Sequence, residues 1–155
     1  MTAGNKQTLF KNVKHRLQSA SAADMQVVAY AFTWTIITRF CMVFLPFKFY
    51  KKFLGIEQSA VQVLADDAAL TDAKHVRQLV LAVCRHTPWQ SECLVQAVVC
   101  KRLLNKRGIH TTLYLGVASE DNKTKLKAHA WLTLGETILT GARGHKQFKV
   151  VNFYG

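Results

Sequence analysis

Acidic side chains are scarce in this sequence. Nine Asp and Glu stand against 21 Lys and Arg, a formal net charge of +12. A surface that basic favours an acidic partner: nucleic acid, anionic lipid or an acidic peptide. Charge alone does not choose among them. The basic residues are scattered and match no nucleic-acid-binding motif, so a specific nucleic-acid partner is not expected. Cysteine is sparse too. The four cysteines, at 41, 84, 93 and 100, form no CxxC pair, which argues against a disulfide framework or a zinc site and for reduced thiols in a cytoplasmic protein. No cofactor or metal is expected. There are only two prolines against nine phenylalanines, and half the residues are hydrophobic. That composition argues for a folded domain and against disorder. There is no internal repeat and no low-complexity tract.

A long uninterrupted apolar run is also missing. The most apolar segment, 25–47, is broken by Arg39. Its unbroken part, Val27 to Thr38, is too short to span a bilayer and carries three threonines. No small-residue cleavage site follows it, so it does not read as a signal peptide. It reads as a buried or partly surface-docked helix ending at Pro46. The following FKFYKKF is basic and aromatic and would suit a bilayer surface or an acidic partner. Peripheral membrane contact is therefore a second reading of this segment.

Residues 1–24 read as a flexible basic N-terminus, and 25–155 as one domain. Its first part, 25–84, is helical. Its second, 85–155, is a central helix followed by a sheet. Within 57–84, Thr71-Asp72-Ala73 marks a helix start, with Val76, Leu79, Val80 and Val83 as its apolar stripe. His75 and His86 read as surface residues. The central helix lies in HTPWQSECLVQAVVCKRLLNKRG. Its end is marked by Lys106 and Arg107 with Gly108 at C′. Its start has two readings. Thr87-Pro88-Trp89-Gln90 is a capping box, whereas Ser91 is a cap for a helix beginning at Glu92. Cys93, Ala97, Cys100 and Leu104 share one face at about 100° per residue, and apolar residues cover much of the rest. A helix of that kind is wrapped by protein.

From Ile109 the period changes to two, with Ile109, Thr111, Leu113, Leu115 and Val117 on one face. A polar turn, 119–123, leads to KAHAWLTL. Here Leu126, Ala128, Ala130, Leu132 and Leu134 form the buried face, and His129 and Trp131 point the other way. A Gly135-Glu136 turn, the segment Thr137–Thr140 and a last strand over Phe148–Tyr154 complete the order. Helices followed by an antiparallel sheet make an α+β domain.

Cys93 and His129 carry the chemistry. A thiol in the first turn of a helix meets free N–H groups that favour thiolate, and a histidine on a neighbouring strand can take and return its proton. The plain alternatives are core filler for Cys93 and a hydrogen-bonded structural histidine for His129. Cys41 and Cys84 read as inert. Trp131 either walls the site from water or simply packs.

QSECL at a helix start, the basic helix end KRG, IHTTLYLGV, and AHAW before a glycine turn occur together and in order. In this combination the chain resembles the stand-alone leader peptidase of lasso-peptide biosynthesis, within the transglutaminase-like, papain-related cysteine proteins. The resemblance covers about residues 70–141, and LPFKFYKKFLG is similar to the N-terminal part of that family. It implies a papain- or transglutaminase-like fold with Cys93 as nucleophile and His129 as base. It implies peptide-bond hydrolysis through an acyl-enzyme, cutting a ribosomally made precursor between leader and core. It also implies two partners, a small leader-recognition protein and an ATP-dependent macrolactam synthetase. The family's triad acid lies about twelve positions after the histidine. Here that place falls on Thr140-Gly141. Glu136 and Asn152 are the nearby candidates for orienting His129, a backbone carbonyl is a third, and the orienter can also be absent. Gln90 is a candidate oxyanion donor. Two further functions fit the same chain: a non-catalytic adaptor that binds peptide or nucleic acid, and acyl transfer by the same Cys–His pair.

Overall fold

A computed structural model describes residues 21–51, 54–60, 66–87, 93–119 and 126–155. The N-terminal residues 1–20, and with them most of the expected flexible basic segment, lie outside the described residues. So do Gln90, Ser91 and most of the polar turn at 119–123.

Helix α1 spans Ala22–Phe44. It starts three residues before the apolar run because a capping box sets it. The Ser21 hydroxyl accepts from the Ala23 N–H and the Asp24 carboxylate accepts from the Ser21 N–H. Pro46 ends it by forcing Leu45 into an extended conformation. A short helix α2, Phe47–Tyr50, follows. Helix α3 spans Asp67–His86. The expected start at Thr71 is corrected here. The cap is Asp66, whose carboxylate accepts from Ala69 N at 2.6 Å, while the Thr71 hydroxyl donates back to Asp67 O inside the helix. Residues 57–60, expected to be helical, are not. Glu57 instead bridges to Tyr154 on the sheet. His75 and His86 are exposed on α3, and His75 pairs with Asp24 of α1 at 2.7 Å.

Helix α4 spans Cys93–Asn105. Its end is a Schellman motif. Ile109 N–H donates to Leu104 O at 3.0 Å and Gly108 N–H to Asn105 O at 3.1 Å, with Gly108 at φ +73°. Eight of its residues are buried, from Val95 to Leu104, so the helix is central. It packs on α1, α3 and the sheet. Arg102 lies 3.6 Å from the centre of the Trp34 ring and Lys106 lies 4.1 Å from that of Tyr30, fastening α1 to α4.

The sheet has strands β1 (Thr112–Ser119), β2 (Leu126–Leu134), β3 (Thr137–Thr140) and β4 (Lys149–Tyr154), in the antiparallel order β3-β2-β1-β4. A 3-10 turn at His145–Gln147 precedes β4. Strand alternation divides the sheet faces. Leu113, Ala130, Leu132 and Leu134 join Val76, Val80, Val95, Val99 and Leu104 in one core between sheet and helices. Each of these valine and leucine side chains contributes roughly 1.5–3 kcal/mol on burial. On the other face Tyr114 stacks on Trp131 with ring centres 5.6 Å apart, and Phe153 lies beside them. The expected buried face of β2 is too long at its start. Leu126 is 76% exposed and Ala128 is exposed, so the buried face of β2 begins at Ala130.

One buried polar group was not anticipated. Lys101 is 2% exposed. Its ammonium donates to Thr111 O at 2.6 Å and Tyr154 O at 3.2 Å, tying α4 to the entry of β1 and the end of β4. Burial pulls its pKa down to about 8.

Candidate active site

The thiols differ in what their surroundings permit. No disulfide joins the four cysteines. Cys84 and Cys100 are buried, and burial pushes the Cys100 thiol up to about 12, so it does not ionise at neutral pH. Cys41 and Cys93 are partly exposed. Cys93 is the first described residue of α4, and the N-terminal end of a helix favours an anion. Its side chain packs against the edge of the core.

His129 sits on β2 opposite Gly116 of β1. Its Nε2 lies 2.8 Å from Gly141 O. A carbonyl oxygen only accepts, so Nε2 carries the proton and the neutral ring keeps its lone pair on Nδ1. The imidazole is flanked by Phe148, with ring centres 4.9 Å apart, and by Trp131 at 6.0 Å. Gly116 makes room for these rings, since a Cβ there would lie 2.8 Å from the Trp131 ring and 2.9 Å from Phe148 Cβ.

Gly141 is as closely specified. It has φ +71°, and a Cβ there would lie 2.3 Å from Ala130 O. Only glycine brings a backbone carbonyl into this place without strain. Gly141 is twelve residues after His129, where the resemblance put an acid. The acceptor facing Nε2 is thus a main-chain oxygen. Glu136 lies exposed in the β2–β3 turn. Asn152 is engaged elsewhere: its amide donates to Glu57 Oε1 at 2.6 Å and to the Tyr154 hydroxyl at 3.0 Å. Among the described residues His129 hydrogen-bonds to no carboxylate.

Cys93 and His129 stand on elements in direct packing contact, α4 and β2. Ala130, beside His129, is 1% exposed and faces the helices. The alternation then turns His129 and Trp131 to the other face of the sheet. Among the described residues no hydrogen bond joins Cys93 to His129. No group of three or more His, Cys, Asp or Glu among the described residues is placed to hold a metal ion.

Gly141 carries a signal in the sequence: a glycine where the resemblance put an acid, directly after a strand that pairs with β2.

Comparison with known proteins places this arrangement. A model of the transglutaminase-like superfamily matches residues 45–152, a span that includes Cys93, His129 and Gly141. No curated protein and no solved structure matches the chain. With that match running over more than half its length, and with helices leading into a four-stranded antiparallel sheet, the chain belongs to the transglutaminase-like superfamily, whose members are generally cysteine-dependent enzymes and include peptidases and acyltransferases.

Proposed function

We propose that this protein is a cytoplasmic cysteine peptidase that removes the leader from a ribosomally made lasso-peptide precursor, with Cys93 as nucleophile and His129 as base. The observation that supports the reading is the hydrogen bond from His129 Nε2 to Gly141 O, which leaves Nδ1 as the basic atom of a ring on β2, the strand that packs against the helix carrying Cys93.

In this mechanism Nδ1 takes the Cys93 Sγ proton as the thiolate attacks the scissile carbonyl. N–H groups at the start of α4 stabilise the developing oxyanion. The imidazolium then returns its proton to the leaving amine of the core peptide, and an acyl-enzyme holds the leader. Water, deprotonated by the same imidazole, releases the leader as a carboxylic acid. The mechanism requires Sγ to come within hydrogen-bonding reach of Nδ1 when substrate is bound, a contact that free enzymes commonly lack. The net charge of +12 suits an acidic leader. The ordered motifs QSECL, KRG and AHAW support the lasso-precursor substrate, the small leader-recognition protein and the ATP-dependent macrolactam synthetase that would use the freed amine.

The test is incubation with the precursor peptide encoded beside it, with and without the leader-binding protein, read by mass spectrometry. Two fragments whose masses sum to the precursor plus one water support the reading, and Cys93→Ala must abolish them. A leader mass increased by an added amine would assign acyl transfer to the same pair. The turn of His129 to the sheet face opposite the helix-packed Ala130 favours a second reading, a non-catalytic adaptor. Slow and equal alkylation of all four cysteines, with an intact precursor, would establish it.

A further inference from the structure

Among the described residues helix α1 packs on the protein through one side. Val27, Ala31, Thr35 and Thr38 are buried, and the helix packs on α3 and α4. The opposite side is apolar and open to solvent. Ile36 is 44% exposed, Phe40 57%, Val43 59% and Phe44 67%, and beyond Pro46 Phe49 is 61% exposed. Phe40 and Phe44 lie one turn apart with ring centres 4.6 Å from each other. Soluble monomers rarely leave such a stripe in water.

The helix is long and apolar enough to cross a membrane by length and composition, yet its core-facing side is committed to α3 and α4. A helix held in this way does not span. It can lie flat, with its open side sunk into the boundary between headgroups and acyl chains.

Charge selects the surface. Between Asp24 and Glu57 the sequence has no acidic residue, and Arg39, Lys48, Lys51 and Lys52 are its charged groups. Asp24 is occupied by His75, and Glu57 by Lys51 and Asn152. An apolar stripe ending in phenylalanines, with cations and no anions along it, complements an anionic bilayer. We propose that the outer side of α1 and the residues following Pro46 dock this protein peripherally on anionic membrane, independently of the reaction it catalyses.

The test is co-sedimentation of the full chain with phosphatidylglycerol–phosphatidylcholine vesicles and with pure phosphatidylcholine vesicles. Three proteins are compared: wild type, Phe40→Ser/Phe44→Ser and Arg39→Glu/Lys48→Glu. The changed side chains are exposed except Arg39, which is half-buried, and thermal melting followed by circular dichroism confirms that both variants fold. The wild type is expected to pellet with the anionic vesicles at least about tenfold better than with neutral ones, and each variant to lose about tenfold. Wild type that stays in solution with anionic vesicles overturns the proposal. So does a folded Phe40→Ser/Phe44→Ser protein that binds like wild type, or equal binding to both lipids. A stable dimer in light scattering that the phenylalanine pair abolishes, without vesicle binding, would assign the face to a second copy of the chain and also overturn it.

Discussion

A neutral imidazole holds one proton, and the Gly141 carbonyl decides which nitrogen carries it in His129. A carbonyl orients the ring as a carboxylate would, but it brings less stabilisation to the imidazolium because it has no full charge. Replacing Gly141 by alanine places a Cβ against Ala130 O at a φ of +71°. We predict that Gly141→Ala lowers precursor processing more than tenfold and costs roughly 1–3 kcal/mol of stability. Processing rates and urea unfolding measure the two effects separately. Glu136→Gln, at an exposed turn, is predicted to leave processing within about twofold of wild type. A Glu136→Gln loss as large as that of Gly141→Ala would transfer the orienting role to the carboxylate. Among the thiols, brief alkylation at neutral pH should label Cys93 well ahead of Cys100, whose buried thiol is held at about 12. Peptide mapping after iodoacetamide treatment reads this, and faster labelling of Cys100 would contradict it.

At the scale of elements, termini explain the boundaries. The end of α4 was legible because Lys106, Arg107 and Gly108 carry their information locally, and the Schellman hydrogen bonds fall where that pattern put them. The start of α3 was misplaced at Thr71 because Asp66 and Thr71 both belong to residue types that cap helices. Which one caps depends on the chain before it, and the Asp66 carboxylate is the one that reaches an N–H. Gly108→Ala isolates the backbone part of a helix end. A Cβ there meets no atom within 4 Å, so the cost comes only from the left-handed conformation. Chemical denaturation should show a loss of about 1–2 kcal/mol. A larger loss would mean a packing role that the open space around Gly108 excludes.

In the whole molecule, Lys101 joins α4 and the entry of β1 to the end of β4, which lies 53 residues further along the chain. Its pKa falls from 10.5 to about 8 because burial disfavours the charged form. Between those two values the unfolded chain binds the proton more tightly than the folded one, so folding stability rises with pH across that window. The contribution is fully present above 10.5 and is lost as pH falls to about 8. Lys101→Met removes the titration. The stability of wild type relative to this variant, from urea midpoints, should therefore increase between pH 8 and 10.5. A flat or falling difference would show that the ammonium is solvated. Position 101 lies beside the face formed by Cys93, Ala97, Cys100 and Leu104, on a helix that apolar residues surround. The long lysine stem fits that setting, and its charged end needs acceptors that no local pattern could locate.

The sequence by itself determined the kinds and order of elements, the cysteine on the central helix, the histidine and tryptophan sharing a strand face, and the end of the central helix. Periodicity, caps and turn glycines act over a few residues and so can be read along the chain. Only the tertiary structure decided that Gly141 O faces His129, that Lys101 is sealed between α4, β1 and β4, that Leu126 and Ala128 run past the core, and that α1 keeps one apolar side open. These depend on strand register and on which surfaces meet, because hydrogen-bond partners and burial belong to pairs of distant segments rather than to any one of them.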